Sequence, residues 1–359
     1  MSFWQTQPLS LVSQTQGPSV ILEASALLEK INQMLEKSPI KLDYKVYTGT
    51  NLQETLDFIN KNYVRSDTTK LTYSMDLFRY FLQDSLLIHF YPKDKPTLVA
   101  TIVGKKQVLT LFGKTVNTVD VNFLCLEPKL RRLHLAPYLI ATLTKETVQR
   151  LNINLANYTV SSPIKAPCFG TKNMYHRPVH IKNLIANNYI PGPESNYIKY
   201  TNVPRITPVY LNKNPADLAI LSKKIDDYNK LFYDIYEQKP LSLIVNNPAF
   251  HLFTFGLEDL LVFYCLETQN TQTNQSYRNG YLYLKMLGSH SVEHIKTLFD
   301  SVSAYCYRHN ILDMLTLTDI FDLDYQKINF VQGTGKLNFH LFNMNMVNIQ
   351  NHRNGLTTI

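Results

Sequence analysis

The sequence predicts a mixed α/β protein whose two halves run through helices and strands in similar order. Hydrophobic residues make up 45% of the 359 and charged residues only 18%, so the chain can bury a real core and is not a disordered polymer. Helical and alternating apolar patterns succeed one another along its length. From about residue 205 a second series of helix, strands and helix repeats the general order of the first. No self-similarity of sequence accompanies this, so the halves are expected to match in fold alone.

In the first half, Leu27, Leu28, Ile31, Met34 and Leu35 recur at helical spacing, and further helices are expected over 51–62 and 76–82. Strand-rich segments follow at 86–91, 97–103 and 107–112. Val119, Val121, Phe123 and Cys125 then alternate with Asp120, Asn122 and Leu124, the pattern of a strand with one buried face. Glu127-Pro128 ends that strand, because proline removes a ladder donor. The basic turn Lys129-Leu130-Arg131-Arg132 leads to Pro137, suited to a first helical turn, and to a helix bearing Leu139, Leu143, Val148 and Leu151. A strand over 154–160 follows. Strand, basic turn, helix and strand in this order aim a helix N-terminus and free backbone N–H groups at one spot, a means of binding pyrophosphate. The second half reads as a helix over 215–232, strands near 250–255 and 260–268, a polar loop at 269–279, a strand over 280–286 and a helix over 291–309.

The net charge of +8 fits a nucleic acid, an anionic membrane or an anionic small ligand, and no dense Lys/Arg block chooses among them. No apolar run approaches the roughly 18 residues of a membrane span, and Met1-Ser2-Phe3-Trp4 does not open a signal peptide, so a soluble protein is expected. Cys125, Cys168, Cys265 and Cys306 form no CxxC pair, which points to reduced thiols in the cytoplasm. No metal is expected either. His290-Ser291-Val292-Glu293-His294 fits the H-x-x-E-H pattern of inverted zinc peptidases, the rival enzyme class; an ordinary helix start is the plainer reading. Cys125 could pair with His134 or His176 as a nucleophile, but its place in the strand reads as a core cysteine.

At Asn122-Phe123-Leu124-Cys125-Leu126, continuing through Lys129-Leu130-Arg131 to Leu135-Ala136-Pro137, the chain resembles the N-myristoyltransferase family. Phe3-Trp4-Gln5-Thr6-Gln7-Pro8 is similar to that family's opening, and Asn62-Tyr63-Val64 to its Asn-Tyr-Val. Tyr158-Thr159, Gly170-Thr171 and His176-Arg177 resemble its central region. Gly333-Thr334-Gly335 with Leu341-Phe342-Asn343 and the spacing from there to Gly355 and Ile359 resemble its end.

The resemblance implies two acetyltransferase-like lobes, 1–204 holding acyl-CoA and 205–359 completing the peptide site, related by a pseudo-twofold axis and sharing one saddle-shaped sheet. It implies transfer of a myristoyl or other long acyl chain from coenzyme A to the N-terminal glycine of proteins. Myristoyl-CoA is then a co-substrate and no cofactor stays bound. The partners are acyl-CoA and N-terminal Gly peptides, with neither nucleic acid nor integral membrane association, and the protein is a monomer. A non-catalytic acyl-CoA-binding module is the alternative from another class.

By the same resemblance, the backbone N–H groups of Phe123 and Leu124 form the oxyanion hole. The carboxylate of Ile359, with Asn122 and Thr159, takes the proton. Ser2, Phe3, Trp4, Phe123 to Leu126, Arg131, Arg132, Leu133, His134, Leu135, Ala136 and Pro137 hold the cofactor. Tyr63, Val64, Asp67, Tyr73, Thr159, Tyr175, His176, Tyr281, Gly333 and Gly335 hold the peptide. Two departures stand out. The turn has Arg132-Leu133-His134 where the family has Ser-Lys-Arg. The acidic run after Tyr-Val is replaced by Arg65-Ser66-Asp67-Thr68-Thr69, and Thr334 stands for the acid between the glycines, which predicts a weaker preference for lysine in the peptide.

Overall fold

The computed structural model describes residues 18–63, 68–201, 209–210 and 215–357. The first half contains β1 (Ser19–Val20), α1 (Ala24–Glu36), β2 (Asp43–Thr48), α2 (Leu52–Asn62), β3 (Thr69–Thr72), α3 (Met75–Phe81), β4 (Ser85–Tyr91), β5 (Ala100–Leu111), β6 (Lys114–Leu126), a 3-10 turn at Pro128–Leu133, α4 (Ala136–Leu151), β7 (Ala156–Val160), β8 (Gly170–Pro178), α5 (Ile181–Ala186) and α6 (Ile198–Thr201). The second contains β9 (Val209–Tyr210), α7 (Pro215–Phe232), β10 (Ile235–Glu237), α8 (Leu241–Ile244), β11 (Phe250–Phe255), β12 (Asp259–Asn270), β13 (Ser276–Met286), α9 (Val292–His309), β14 (Met314–Thr318), β15 (Val331–Phe342) and β16 (Met344–Asn345).

Among the described residues one mixed sheet runs β2-β4-β5-β6-β7-β15-β8-β14-β13-β12-β11-β9, with β10 beside β5 and β3 beside β12. Two β-α-β units recur in it. β6 and β7 are parallel and joined by α4; β13 and β14 are parallel and joined by α9. β15 lies between β7 and β8, and β8 pairs with β14, so strands from both halves interleave. The expected division near residue 205 falls at 202–208, outside the described residues.

The expected helices form, but the strands are longer than periodicity suggested. The segments 97–103 and 107–112 are one strand, β5. The polar stretch 269–279 is mostly hairpin, since Gln269 pairs with Ser276 and Thr268 with Tyr277. Polar side chains are tolerated there because ladder hydrogen bonds need no apolar residue.

The alternation in β6 is also broken. Thr101 faces Cys125 and Val103 faces Asn122, so Ile102 alone stands opposite both Phe123 and Leu124: a β-bulge. Val121 and Leu124 consequently pack toward α4, with Leu139 and Leu143, while Phe123 and Cys125 join the opposite cluster with Phe78 and Tyr73. The single buried face expected for Val119, Val121, Phe123 and Cys125 is therefore split in two. An extra residue in a strand inverts every side chain beyond it.

Candidate active site

The site begins with the bulge. Phe123 has φ 50°, a left-handed conformation unusual for a side-chain-bearing residue and costing about 1–3 kcal/mol. Its ring makes edge contacts with Tyr73 and Phe78, both at 5.2 Å, and these anchor the strained backbone from the α3 side. Beyond Val119↔Ala156 and Asp120↔Asn157, β6 and β7 are no longer paired. The wedge that opens between them, toward Leu124 and Thr159, holds a cavity of about 260 Å³ roofed by Ile140, Leu143 and Thr147 of α4 and lined chiefly by apolar side chains.

A second cavity of about 260 Å³ meets the first at Val121, Leu124 and Thr159. Tyr63, Tyr73, Asn122, Phe123, Met174, Tyr264 and Tyr281 are among the residues that line it, and among the described residues none of its lining is acidic. A third, a groove of about 390 Å³, runs from Leu124, Cys125 and Leu126 past Arg131, His134 and Leu135 to Ala136 and Pro137 at the start of α4. Leu124 borders all three. Tyr63 divides the second from the groove.

A buried polar network supports the bulge from behind. Asn122 and Asn157 both donate to Asp120, the latter at 2.7 Å, and Thr118 donates to Asn157 at 3.1 Å. Burial and the nearby Glu237 push the Asp120 carboxyl up to about 6. Periodicity gave no sign of Asp120, because its chemistry comes from what faces it across the sheet. Cys125 is buried and its thiol is pushed up to about 11, the setting of a core cysteine.

Of the residues implied for the peptide, Tyr63, Tyr73, Thr159 and Tyr281 meet at the second cavity. Tyr175, His176, Gly333 and Gly335 lie outside its lining. His176 shares a hydrogen bond with Thr316 at 2.9 Å, and a Cβ on Gly333 would come within 2.5 Å of its ring. A Cβ on Gly335 would come within 2.6 Å of the Met174 sulfur, so this glycine lets β15 press Met174 into the cavity wall. Leu71, Ser161, Leu266 and Leu337 also line it and were not foreseen.

On the cofactor side, Arg131, though exposed, donates to the carbonyls of Leu126 (3.3 Å) and Asn62 and so ties the end of α2 to the groove. Arg132 and Leu133 are exposed and outside the groove lining. His134, with φ 52°, makes the turn into α4. Ser2, Phe3, Trp4, Val64, Asp67 and Ile359 lie outside the described residues.

The zinc-peptidase pattern does not form its helical face. Ser291 caps α9, so His290 precedes the helix and stacks on Phe232 at 4.3 Å, while His294 pairs with Asp259 at 2.8 Å. Among the described residues no three potential metal ligands cluster.

Comparisons with known proteins agree with this geometry. Residues 22–169 match the family model described as Myristoyl-CoA:protein N-myristoyltransferase, N-terminal domain. A glycylpeptide N-tetradecanoyltransferase of Aspergillus fumigatus is 25% identical over 395 residues, covering 95% of this chain and 77% of that one. One of Drosophila melanogaster is 23% identical, covering 97% and 79%. A crystal structure of Saccharomyces cerevisiae N-myristoyltransferase with bound myristoyl-CoA superposes with a TM-score of 0.79 at 20% identity, covering 99% and 94% of the two chains. The fold is thus common to both, and the matched family segment contains the bulge, the basic turn and the start of α4. Residues 22–169 thus match the N-myristoyltransferase N-terminal family model, and the chain as a whole shares the fold of the yeast enzyme.

Proposed function

We infer that the protein transfers a myristoyl group from myristoyl-CoA to the N-terminal glycine amine of protein substrates. The observation that carries this reading is the convergence of three cavities on Leu124, beside a backbone bulge. The residues present fit a long-chain acyl-CoA. The apolar wedge suits an acyl chain, the groove at the start of α4 suits the anionic coenzyme, and the tyrosine-lined cavity suits a peptide. The 1–204 lobe accordingly holds acyl-CoA and the 205–359 lobe completes the peptide side, in a monomer acting in the cytoplasm.

Aminolysis of a thioester needs donors for the oxyanion and an acceptor for the amine's proton. The N–H groups of Phe123 and Leu124 donate at the bulge, where side-chain identity matters less than backbone shape. Asn122 and Thr159 orient the amine from β6 and β7. The acceptor is the carboxylate of Ile359. With ordinary values of about 3.5 for an α-carboxyl and about 8 for an α-amine, this proton transfer is uphill by about 6 kcal/mol in water, and burial of both groups narrows the gap. Backbone amides bordering the groove hold the coenzyme's phosphates where the turn lacks one of the family's basic side chains.

The test is acyl transfer from myristoyl-CoA to an N-terminal Gly peptide, beside an N-terminal Ala peptide and beside enzyme extended by one residue after Ile359. Transfer to the Gly peptide alone, lost on extension, supports both the activity and the base. Tight myristoyl-CoA binding with no transfer overturns the catalytic reading.

A further inference from the structure

Lys172 on β8 and Lys285 on β13 are 0% and 5% exposed, an environment lysine rarely occupies without a paired acid. Lys239, between β10 and α8, borders the same cavity of about 20 Å³ as Lys285, Tyr233, Gly355 and Thr357. Among the described residues their hydrogen-bond partners are neutral. Lys172 Nζ donates to the carbonyls of Asn354 (2.6 Å) and Leu356 (3.0 Å). Lys239 Nζ donates to the Tyr283 carbonyl (2.9 Å) and to the Thr357 hydroxyl. Lys285 Nζ donates to the Tyr228 hydroxyl (2.8 Å) and stands 5.2 Å from the centre of the Tyr233 ring. Gly355 lies so close to that ring that a Cβ would come within 2.7 Å of Tyr233 Cδ2.

Three amines therefore converge, directly or through one ring, on residues 354–357. The Gly355 amide also donates to the Ile235 carbonyl at 2.8 Å, and the Leu356 amide to Asn354 Oδ1 at 3.0 Å. Tyr283, at the clamp, and Tyr281, in the peptide-side cavity, both set their rings against Tyr264, with centroids 6.0 and 5.3 Å away.

We propose that Lys172, Lys239 and Lys285 are positioning residues that clamp the 354–357 arm beside the amine-accepting end of the site. The catalytic part of this rests on the reading that the arm delivers the proton acceptor. The charged and titratable groups around the clamp are Asp319 at Lys172; Lys105, Glu237 and Asp120 at Lys239; and Tyr228, Tyr233 and His290 at Lys285. Burial pulls Lys172 and Lys285 down to about 7 and Lys239 to about 8. A released arm returns these amines toward water, where a lysine titrates near about 10.4. Protonation thus favours release, and the arm closes more firmly as pH rises above about 7.

Hydrogen exchange of the full-length wild-type protein at about pH 6 and about pH 9, corrected for intrinsic rates, tests the clamp without any mutation. The Gly355 and Leu356 amides are expected to gain about tenfold in protection relative to β13 amides at the higher pH. Equal change in arm and strand overturns the proposal. In Lys172→Met and Lys239→Met, kcat for the Gly peptide is expected to fall about 10- to 100-fold, with myristoyl-CoA Kd within about twofold and a flattened pH profile. Unchanged kcat and pH profile, or loss of myristoyl-CoA affinity in step with kcat, overturns it. If the wild type transfers nothing, the functional reading fails while the exchange experiment still decides the clamp.

Discussion

Ala156 sits behind the vertex of the wedge, one residue before Asn157, where β7 last pairs with β6, and it lines the apolar cavity. Replacing it with leucine adds about three methylene equivalents at the closed end and leaves the mouth at Leu124 and Thr159 untouched. An acyl chain that reaches the vertex must then withdraw about three carbons. At about 0.8 kcal/mol per buried methylene this is about 2.4 kcal/mol, or roughly 60-fold in Kd for myristoyl-CoA. Competition binding with saturated acyl-CoAs of increasing length reads the effect directly. In the wild type, affinity should climb with each carbon until the wedge is full. In Ala156→Leu it should climb with the same slope and stop about three carbons sooner, leaving short chains unaffected. An equal loss at every length, or an unchanged plateau, refutes the placing of the acyl chain in this cavity.

The lack of acidic groups among the described residues lining the second cavity predicts that peptides with lysine downstream of the acceptor glycine and their alanine counterparts have similar kcat/KM; a strong lysine preference would contradict this. Phe123→Leu removes the edge contacts to Tyr73 and Phe78 that hold the left-handed backbone, so kcat should fall more than myristoyl-CoA affinity, as single-turnover and binding measurements would separate. Asp300→Asn leaves the buried Arg177 guanidinium, 2.7 Å from Asp300 in the native chain, without its counter-charge and should cost about 3–5 kcal/mol in urea unfolding. The folded chain binds fewer protons than the unfolded one between the lowered lysine values near 7–8 and the ordinary value, so stability should rise from about pH 7 to about pH 9; a flat or falling urea midpoint over that window would contradict the burial of Lys172, Lys239 and Lys285.

How much of this was legible in the sequence depended on whether a feature is local. The helices were, because α1, α4, α7 and α9 each carry apolar residues at helical spacing. The basic turn and Pro137 announced the start of α4 in the same way. The strands β8, β14 and β15 were not foreseen. Their neighbours lie far away in the chain, as where Leu341 pairs with Asn157 and Leu315 with Arg177, and polar residues on them are satisfied by those distant partners. The bulge was hidden for a related reason. Alternation across 119–125 looked uninterrupted, and only the partner strand β5, with Ile102 opposite two residues, reveals that one residue is extra. Motif resemblance nevertheless identified Phe123 and Leu124, since a family can preserve a backbone irregularity that periodicity cannot express.

The buried lysines extend the same point from shape to charge. In the sequence, Lys172, Lys239 and Lys285 look like any of the 36 basic residues behind the +8 net charge. In the fold they surround one short arm, and Lys239 among them lies within electrostatic reach of Glu237 and of Asp120, the carboxylate hydrogen-bonded behind the bulge. The described lining of the peptide-side cavity carries no acid, and the lysines behind it are neutral when the arm is clamped. Such a lining offers a protonated amine or a basic peptide no counter-charge. An acceptor amine entering this site is therefore pressed toward its neutral, nucleophilic form by desolvation. What the lysines contribute is the placing of the arm, so Lys239→Met should lower kcat most at high pH, where the wild-type clamp is closed, and least near about pH 6, where protonation has already loosened it.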